Sequence, residues 1–214
     1  MGIQERKERE RERRRQQIMV AAKRVFSVRG YHKATMEDIA KEAELSPGTL
    51  YLYFRNKDEL FSSLFIRVLQ YLNIRLEHVV NDETEMYPVQ KIEALRDAMY
   101  DVYEFDPLTL INMFHLQSSD TLKNLSPELL TDIKVLSRNS LNLMAKIFEE
   151  GIKKGVFIDR HPVAFADIVW AIFSGLVLWE ESKRIIDGEK NYLKETLGIA
   201  FEIFVRGIKT DRKK

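Results

Sequence analysis

Apolar residues recur along most of this chain at the three- and four-residue spacing of amphipathic helices. The first complete stripe consists of Ile18, Ala21, Ala22, Val25 and Phe26. Gly30 follows it, at a place where a left-handed residue commonly ends a helix. Comparable stripes continue to Ile208, separated by prolines, glycines and polar runs, and no segment convincingly predicts a strand. The pattern predicts an all-α protein with about nine helices.

Two short helices joined by a tight turn are predicted between Thr35 and Phe54. Thr35 is suited to cap a helix that runs to about Ala43, and Ser46-Pro47 is a favourable start for the next helix. Only Glu44-Leu45 separates the two. Leu50 and Phe54 lie four residues apart and are predicted to point inward, which leaves Tyr51 and Tyr53 on other faces. This arrangement is a helix-turn-helix, whose second helix enters the DNA major groove.

The same residues resemble a known family. GTLYLYFRNKDELF, preceded by MEDIAKEAELS and VFSVRGYHKAT, is similar to the DNA-binding domain of TetR/AcrR transcriptional regulators, from about residue 18 to 61. The resemblance implies an N-terminal three-helix DNA-binding domain with a charged arm, residues 1–56. It also implies a larger helical domain for ligand binding and dimerisation, residues 57–214. The YLYF-N-K segment resembles that of some fatty-acid-responsive members.

The predicted DNA contacts cluster at the start of the second helix and beside it. Small polar and aromatic side chains there suit contacts to bases or nearby phosphates, and Thr35, Tyr53 and Lys57 suit phosphates. Tyr53 has an alternative role as a buried brace. Lys57 opposes the dipole in the first turn of its helix, a small cost that makes sense beside an anion, and the resemblance implies a phosphate. The complete predicted set is Thr35, Ser46, Pro47, Gly48, Thr49, Tyr51, Tyr53 and Lys57.

Charge is distributed unevenly, although the net charge is only +1. Residues 1–60 contain 14 Lys or Arg and 10 Asp or Glu, whereas the remaining residues contain 20 and 23. The positive half is the one with the helix-turn-helix, as phosphate binding requires. Residues 1–15 alternate Arg and Glu and have two interpretations: a solvated helical extension, or a basic arm that binds the DNA backbone.

No cysteine is present, which excludes disulfides and thiol chemistry and favours a cytoplasmic protein. The longest apolar run, residues 163–179, is interrupted by Asp167 and Ser174 and is short for a membrane span of about 20 residues. We therefore predict a buried helix and no membrane partner. The four histidines are dispersed and no metal-ligand spacing occurs, so we predict no cofactor, no metal and no enzymatic activity.

Two C-terminal helices, at about 162–186 and 191–209, are more apolar than one inward stripe requires. A central core helix is one explanation. The resemblance implies the other, in which this pair meets its two-fold mate in a four-helix bundle. A homodimer would present two recognition helices to a pseudo-palindromic operator in double-stranded DNA, with half-sites about 34–36 Å apart.

The middle helices combine apolar walls with scattered polar groups, a composition typical of small-molecule pockets. The resemblance implies an effector there, and the many apolar side chains favour a lipophilic ligand with an acyl chain. Simple core packing is the alternative for each residue. The predicted effector-binding residues are Met99, Tyr103, Asn112, Met113, His115, Asn142, Trp170 and Phe173.

The sequence thus predicts a homodimeric transcriptional regulator, a repressor that a small lipophilic effector releases from its operator. Two alternatives remain open at this point. One is an enzyme built on a helical bundle, which lacks any recognisable catalytic motif here. The other is a DNA-binding or architectural protein whose bundle serves only to dimerise.

Overall fold

A computed structural model describes residues 2–81, 86–116, 125–187 and 191–210, without the side chains of residues 3, 115, 116, 185 and 187. The chain divides into two compact units. The first contains residues 1–67 and 115–132, and the second contains residues 68–114 and 133–214. The division falls inside a helix that begins at Lys57, the residue at which we placed the domain boundary, so that boundary stays a prediction.

The described part of the chain contains nine helices and a single isolated β-bridge, which confirms the all-α prediction. In chain order they are α1 (Ile3–Lys33), α2 (Met36–Glu42), α3 (Pro47–Tyr51), α4 (Lys57–Val80), α5 (Pro88–Phe105), α6 (Pro107–Leu116), α7 (Pro127–Lys153), α8 (Pro162–Asp187) and α9 (Leu193–Ile208).

In the first unit, α1, α2, α3 and the start of α4 surround one apolar core. Gly30 interrupts α1 with φ 72°, a backbone conformation that favours glycine. Each following helix begins with a side-chain cap: Thr35 for α2, Ser46 for α3 and Asn56 for α4, whose Oδ1 accepts from Glu59 N at 2.7 Å. The fully buried side chains of this core are Ile18, Phe26, Ile39, Leu50, Phe54 and Leu60.

The second unit is built from the C-terminal part of α4 with α5, most of α6 and α7, α8 and α9. Here α9 packs against both α5 and α8. The isolated bridge joins Phe157 to Lys209, with Ile158 N donating to Ile208 O at 2.8 Å. At the opposite ends of α8 and α9, Tyr192 N donates to a Glu180 carboxylate oxygen at 2.8 Å. The α8–α9 pair is therefore hydrogen-bonded at both ends.

Helix α4 is buried over a wide face but not all round. Ile74 is 50% exposed, because it lies two residues after the buried Leu72 and so about 200° around the helix. The face that carries Leu72 also buries Phe61, Phe65 and Leu69. A single stripe underestimates a helix that is packed over more than one side.

Candidate DNA interface

Thr35 begins the helix-turn-helix with a capping box. Its Oγ1 accepts from Asp38 N at 3.1 Å, and the Asp38 carboxylate accepts from Thr35 N at 3.2 Å. The side-chain and backbone hydrogen bonds with Thr35, together with Arg29 at 2.9 Å, hold the pKa of Asp38 below its ordinary value. Thr35 therefore fixes the start of α2 and remains exposed beside it.

The turn between α2 and α3 is shaped by a left-handed residue. Glu44 has φ 55°, which is uncommon for a residue with a Cβ. Glu44 N donates to Lys41 O at 3.1 Å, and Leu45 N donates to Ala40 O at 2.8 Å, so the turn satisfies its own backbone. Only Ala43, Glu44 and Leu45 separate the end of α2 from the α3 cap.

Ser46 holds the N-terminal end of α3 in an open, ordered form. Its Oγ accepts from Thr49 N at 3.1 Å and lies 2.8 Å from Thr49 Oγ1. Pro47 and Gly48 are exposed, and a Cβ at Gly48 would meet only Ser46 Oγ, at 4.0 Å. Because this end of the helix is small and uncovered, a base edge or phosphate can approach its backbone closely.

The rest of α3 divides into an anchored side and an exposed side. Leu50 and Phe54 are completely buried, as predicted, whereas Tyr51 is 47% exposed. Leu52 is 75% exposed beside it and was not predicted. The sequence could not reveal this exposure, since an exposed leucine at the end of such a short helix is indistinguishable from a core leucine. Apolar groups of this kind can contact thymine methyl groups.

Tyr53 and Phe54 are held by an arginine from α1. Arg15 Nη1 donates to Tyr53 O at 2.9 Å, and its guanidinium lies 4.4 Å from the centre of the Phe54 ring. Tyr53 is half-buried, which is compatible with both roles considered for it. The contact ties the end of the recognition helix to the long first helix.

Lys57 makes contacts that its sequence context did not suggest. Its Nζ donates to Tyr31 O at 2.8 Å, Ala34 O at 3.0 Å and His32 O at 3.3 Å, and lies 4.6 Å from the Tyr31 ring centre. The negative partner that we inferred is thus supplied by the carbonyl end of α1. Since all three N–H groups are directed at these carbonyls, the phosphate contact of Lys57 stays a prediction that requires the ammonium to rearrange.

Tyr31 completes this junction between α1 and α4. Its hydroxyl is hydrogen-bonded to the Asp58 carboxylate, and its ring packs on Phe26 and Phe61. Burial, followed by the hydrogen bond to Asp58, raises the pKa of Tyr31 well above its ordinary value, so the hydroxyl stays protonated. The start of α4 is therefore fixed to the end of α1 by a cation, an aromatic ring and a carboxylate.

The predicted effector residues lie mainly in the core of the second unit. Met99, Met113 and Phe173 are buried, and Trp170 packs 5.9 Å from Phe173, centre to centre. Phe114, the neighbour of Met113, meets Trp170 edge to face at 5.7 Å. These side chains form an aromatic cluster between α6 and α8.

The polar members of the predicted effector set behave differently. Asn112 donates to Leu108 O in its own helix at 2.9 Å, and the Tyr103 hydroxyl accepts from Asn191 Nδ2 at 3.2 Å. Asn142 lies on the exposed face of α7, away from the aromatic cluster's buried side chains, so its role in effector binding stays a prediction. The side chain of His115 falls outside the described part of the structure, so its role stays a prediction.

Comparisons with known proteins agree with this architecture. Residues 18–64 match the family model described as bacterial regulatory proteins, tetR family. The chain is 27% identical over 195 residues to a Bacillus subtilis protein named fatty acid metabolism regulator protein, covering 90% of this chain and 94% of that protein. It is also 24% identical over 193 residues to the B. subtilis HTH-type transcriptional regulator YhgD, with the same coverages.

A solved structure extends the likeness to the fold of nearly the whole chain. The transcriptional regulator FadR from Bacillus subtilis, in complex with stearoyl-CoA, superposes with a TM-score of 0.71 at 23% identity. The match covers 90% of this chain and 98% of that one. The capped helix-turn-helix, the all-α architecture and these relatives lead to one conclusion: residues 18–64 form a domain of the tetR family of bacterial regulatory proteins, in a chain that is similar over most of its length to transcriptional regulators.

Proposed function

We propose that this protein is a cytoplasmic, homodimeric repressor that leaves its operator when it binds a lipophilic effector. The observation that carries the proposal is an apolar face of α8 and α9 that remains uncovered in the single chain. The helix-turn-helix would bind the operator, and this face would join two copies of the chain so that two recognition helices are presented together.

On α8 the uncovered face is a continuous stripe. Its residues recur at spacings of three, four and seven, the period of one helix face: Ala164, Ile168, Ala171, Gly175, Trp179 and Ile186 are all exposed. On α9, Ile199 and Ile203 are 58% and 65% exposed, four residues apart. A Cβ at Gly175 would meet nothing within 4 Å in its own chain. Small residues in such a stripe allow close approach of a second helix.

This face also bears on the prediction that α8 is a buried helix. By length and composition, Pro162–Arg184 is apolar enough to cross a membrane, and only 28% of its most apolar window is buried in the single chain. A monomer rarely leaves so large an apolar patch to water. Association of two copies through α8 and α9 covers the patch in a four-helix bundle and so accounts for the composition without a membrane.

Dimerisation also supports DNA recognition. A five-residue recognition helix reads few base pairs by itself. Two copies related by a two-fold axis read two half-sites about 34–36 Å apart, centre to centre, and the operator is then a pseudo-palindrome.

The dimer is tested by two substitutions of nearly equal exposure. Ile203→Glu places a carboxylate on the uncovered face of α9, and Val135→Glu places one on α7, where Val135 is 61% exposed. We expect sedimentation equilibrium to show a dimer for the wild type and Val135→Glu and a monomer for Ile203→Glu, with operator affinity abolished in the monomer. If Ile203→Glu remains a dimer at the concentration at which the wild type dimerises, the α8–α9 interface is wrong.

The effector proposal is supported by the aromatic cluster between α6 and α8 and by the relatives. One relative is named a fatty acid metabolism regulator protein, and the FadR structure was solved with stearoyl-CoA. Met99, Met113, Phe114 and Phe173 provide an apolar environment in which an acyl chain would be shielded from water. We propose that occupation of this region shifts α4, which begins at the DNA-binding helices, and changes the spacing of the two recognition helices.

Fluorescence anisotropy of an operator duplex, selected by the protein from random sequence, tests the switch. We expect stearoyl-CoA to weaken binding and free coenzyme A to leave it unchanged, since the proposed recognition is of the acyl chain. Unchanged operator affinity at saturating stearoyl-CoA would exclude this effector. If native mass spectrometry also finds no lipid bound to the purified protein, the alternative of a DNA-binding protein without an effector gains support.

A further inference from the structure

The N-terminal part of α1 extends well beyond the apolar core of its unit. α1 begins at Ile3, whereas its first buried side chain is Ile18. At about 1.5 Å per residue, the intervening helix is about 22 Å long. The only break in α1 is at Gly30, near its other end, so the helical register runs unbroken through this extension.

That register places charges of one sign on the inward face. At about 100° per residue, Lys7, Arg11 and Arg14 lie within about 40° of Ile18, so they continue its buried stripe towards the N-terminus. Glu5, Glu8 and Glu12 fall about 80–140° to one side, and Glu10 falls about 80° to the other. The inward face of the helical segment therefore carries cations alone, with carboxylates on either side of it.

The basic stripe faces in the direction in which DNA is expected. α1 packs against α2, which packs against α3, and Arg15 of α1 contacts Tyr53 O and the Phe54 ring just after α3. In α3, Leu50 is buried while Gly48 and Tyr51 are exposed. The direction from α1 through α3 therefore leads to the surface that meets the major groove. From Gln4 to Arg13 every residue of α1 is exposed.

The stripe is also electrostatically uncompensated. Lys7 and Arg11 are exposed and form no ion pair with any residue that the structure describes. Among the flanking carboxylates, by contrast, Glu5 accepts from Gly2 N at 3.1 Å and Glu12 accepts from Gln16 Nε2 at 2.7 Å. Two cations at the spacing of one helical turn, neither of which is paired with the flanking Glu8 or Glu10, suit a row of phosphates.

We propose that Lys7 and Arg11 form a phosphate-binding stripe that contacts the DNA backbone flanking each half-site. A recognition helix inserted in a major groove about 8.5 Å deep brings the phosphate ridges on either side up towards the helices behind it. The extension lies on such a helix, so it acts as a rigid rod along the duplex. This inference rests on the proposed DNA interface of α3 and adds a sequence-independent contribution to it.

The test compares two double variants with equal charge loss on the same helix. Lys7→Gln/Arg11→Gln removes the inward stripe, and Arg6→Gln/Arg13→Gln removes two arginines about 120–140° around the helix from Ile18. Glutamine preserves helix propensity in both. Dissociation constants are measured as a function of salt on the selected duplex, on the same duplex trimmed to its two half-sites, and on a scrambled duplex.

We expect the stripe variant to lower the slope of log affinity against log salt by about 0.9 for each phosphate that is no longer neutralised, or about 1.8 per protomer. The control should stay close to the wild type, and trimming the flanks should weaken the wild type but not the stripe variant. Equal slopes for the two variants would overturn the stripe while leaving the α3 interface intact. A wild type that binds selected and scrambled duplexes equally would overturn the interface, and the inference with it.

Discussion

Replacing Lys57 by methionine separates two roles that a lysine at the start of α4 can play. In the structure its ammonium donates to Tyr31 O, His32 O and Ala34 O and lies over the Tyr31 ring. Methionine keeps the apolar stem and removes every one of these interactions. If Lys57 serves as a cap for α1, the substitution destabilises the protein. If it serves mainly as a phosphate contact, the effect falls on DNA binding.

The size of the structural effect follows from the interactions of the ammonium. A hydrogen bond to a charged group contributes about 1.5–3 kcal/mol, and a cation–π contact adds about 0.5–1 kcal/mol. Because Lys57 is half-buried and water compensates part of the change, we expect about 2 kcal/mol for the set. In a chain of this size about 1 kcal/mol lowers Tm by about 2–4 °C, so Lys57→Met should melt about 4–8 °C below the wild type.

Circular dichroism melting and salt-dependent DNA binding are measured on the same preparations. Lys33→Met is the matched control, since Lys33 is exposed in the same last turn of α1 and loses the same charge. We expect Lys33→Met to melt within about 2 °C of the wild type, as an exposed substitution does. A Lys57→Met protein that melts with the wild type, but whose salt slope falls by about 0.9 per protomer, would refute the capping role and establish the phosphate contact.

Three further predictions follow from the helix ends. Ser46→Ala removes the α3 cap and should cost about 1 kcal/mol in unfolding free energy, whereas Ser46→Asp keeps the cap and the stability but repels phosphate, so only DNA affinity falls. Because the pKa of Asp38 is lowered, the α2 capping box stabilises the fold at pH values above the ordinary carboxyl pKa, and this stabilisation is lost as the pH falls through the lowered value. In NMR titrations Thr35→Val should raise the pKa of Asp38. Gly151→Ala collides with a buried ring and should cost about 1–3 kcal/mol in thermal unfolding, while Gly198→Ala, whose Cβ meets nothing within 4 Å, should stabilise α9.

Local signals predicted the helix boundaries well. Thr35 and Ser46 cap the helices that they were expected to cap, and Gly30 has the positive φ expected at a helix end, although α1 resumes after it and continues to Lys33. Each of these assignments depends on residues within one turn of chain, where capping and glycine preferences act. The family resemblance also lay in this region, from the first helix to the start of α4.

The hydrophobic pattern of the sequence could not predict long-range contacts. Lys57 meets carbonyls more than 20 residues earlier in the chain, and no spacing rule relates the two. The residues around Asn142 are a mixture of polar and apolar types, so their sequence does not predict which face of α7 is buried. In the structure Asn142 is exposed. The exposure of Leu52 likewise depends on the packing of a five-residue helix by its neighbours. Periodicity identifies a helix, but its rotation against other helices is decided by tertiary packing.

The hydrogen bonds at both ends of the α8–α9 pair have a consequence for how the proposed dimer would assemble. Val156 O accepts from Thr210 N at 3.0 Å at one end, and Glu180 accepts from Tyr192 N at the other. The two helices are thus joined to each other within one chain before any partner arrives. We expect refolding to show a concentration-independent phase in which α8 and α9 pair within one chain. A second-order phase should follow, in which two folded chains associate. When two labelled populations are mixed, subunits should exchange without unfolding. The proposed dimer could therefore dissociate and re-form within a cell while each chain keeps its fold.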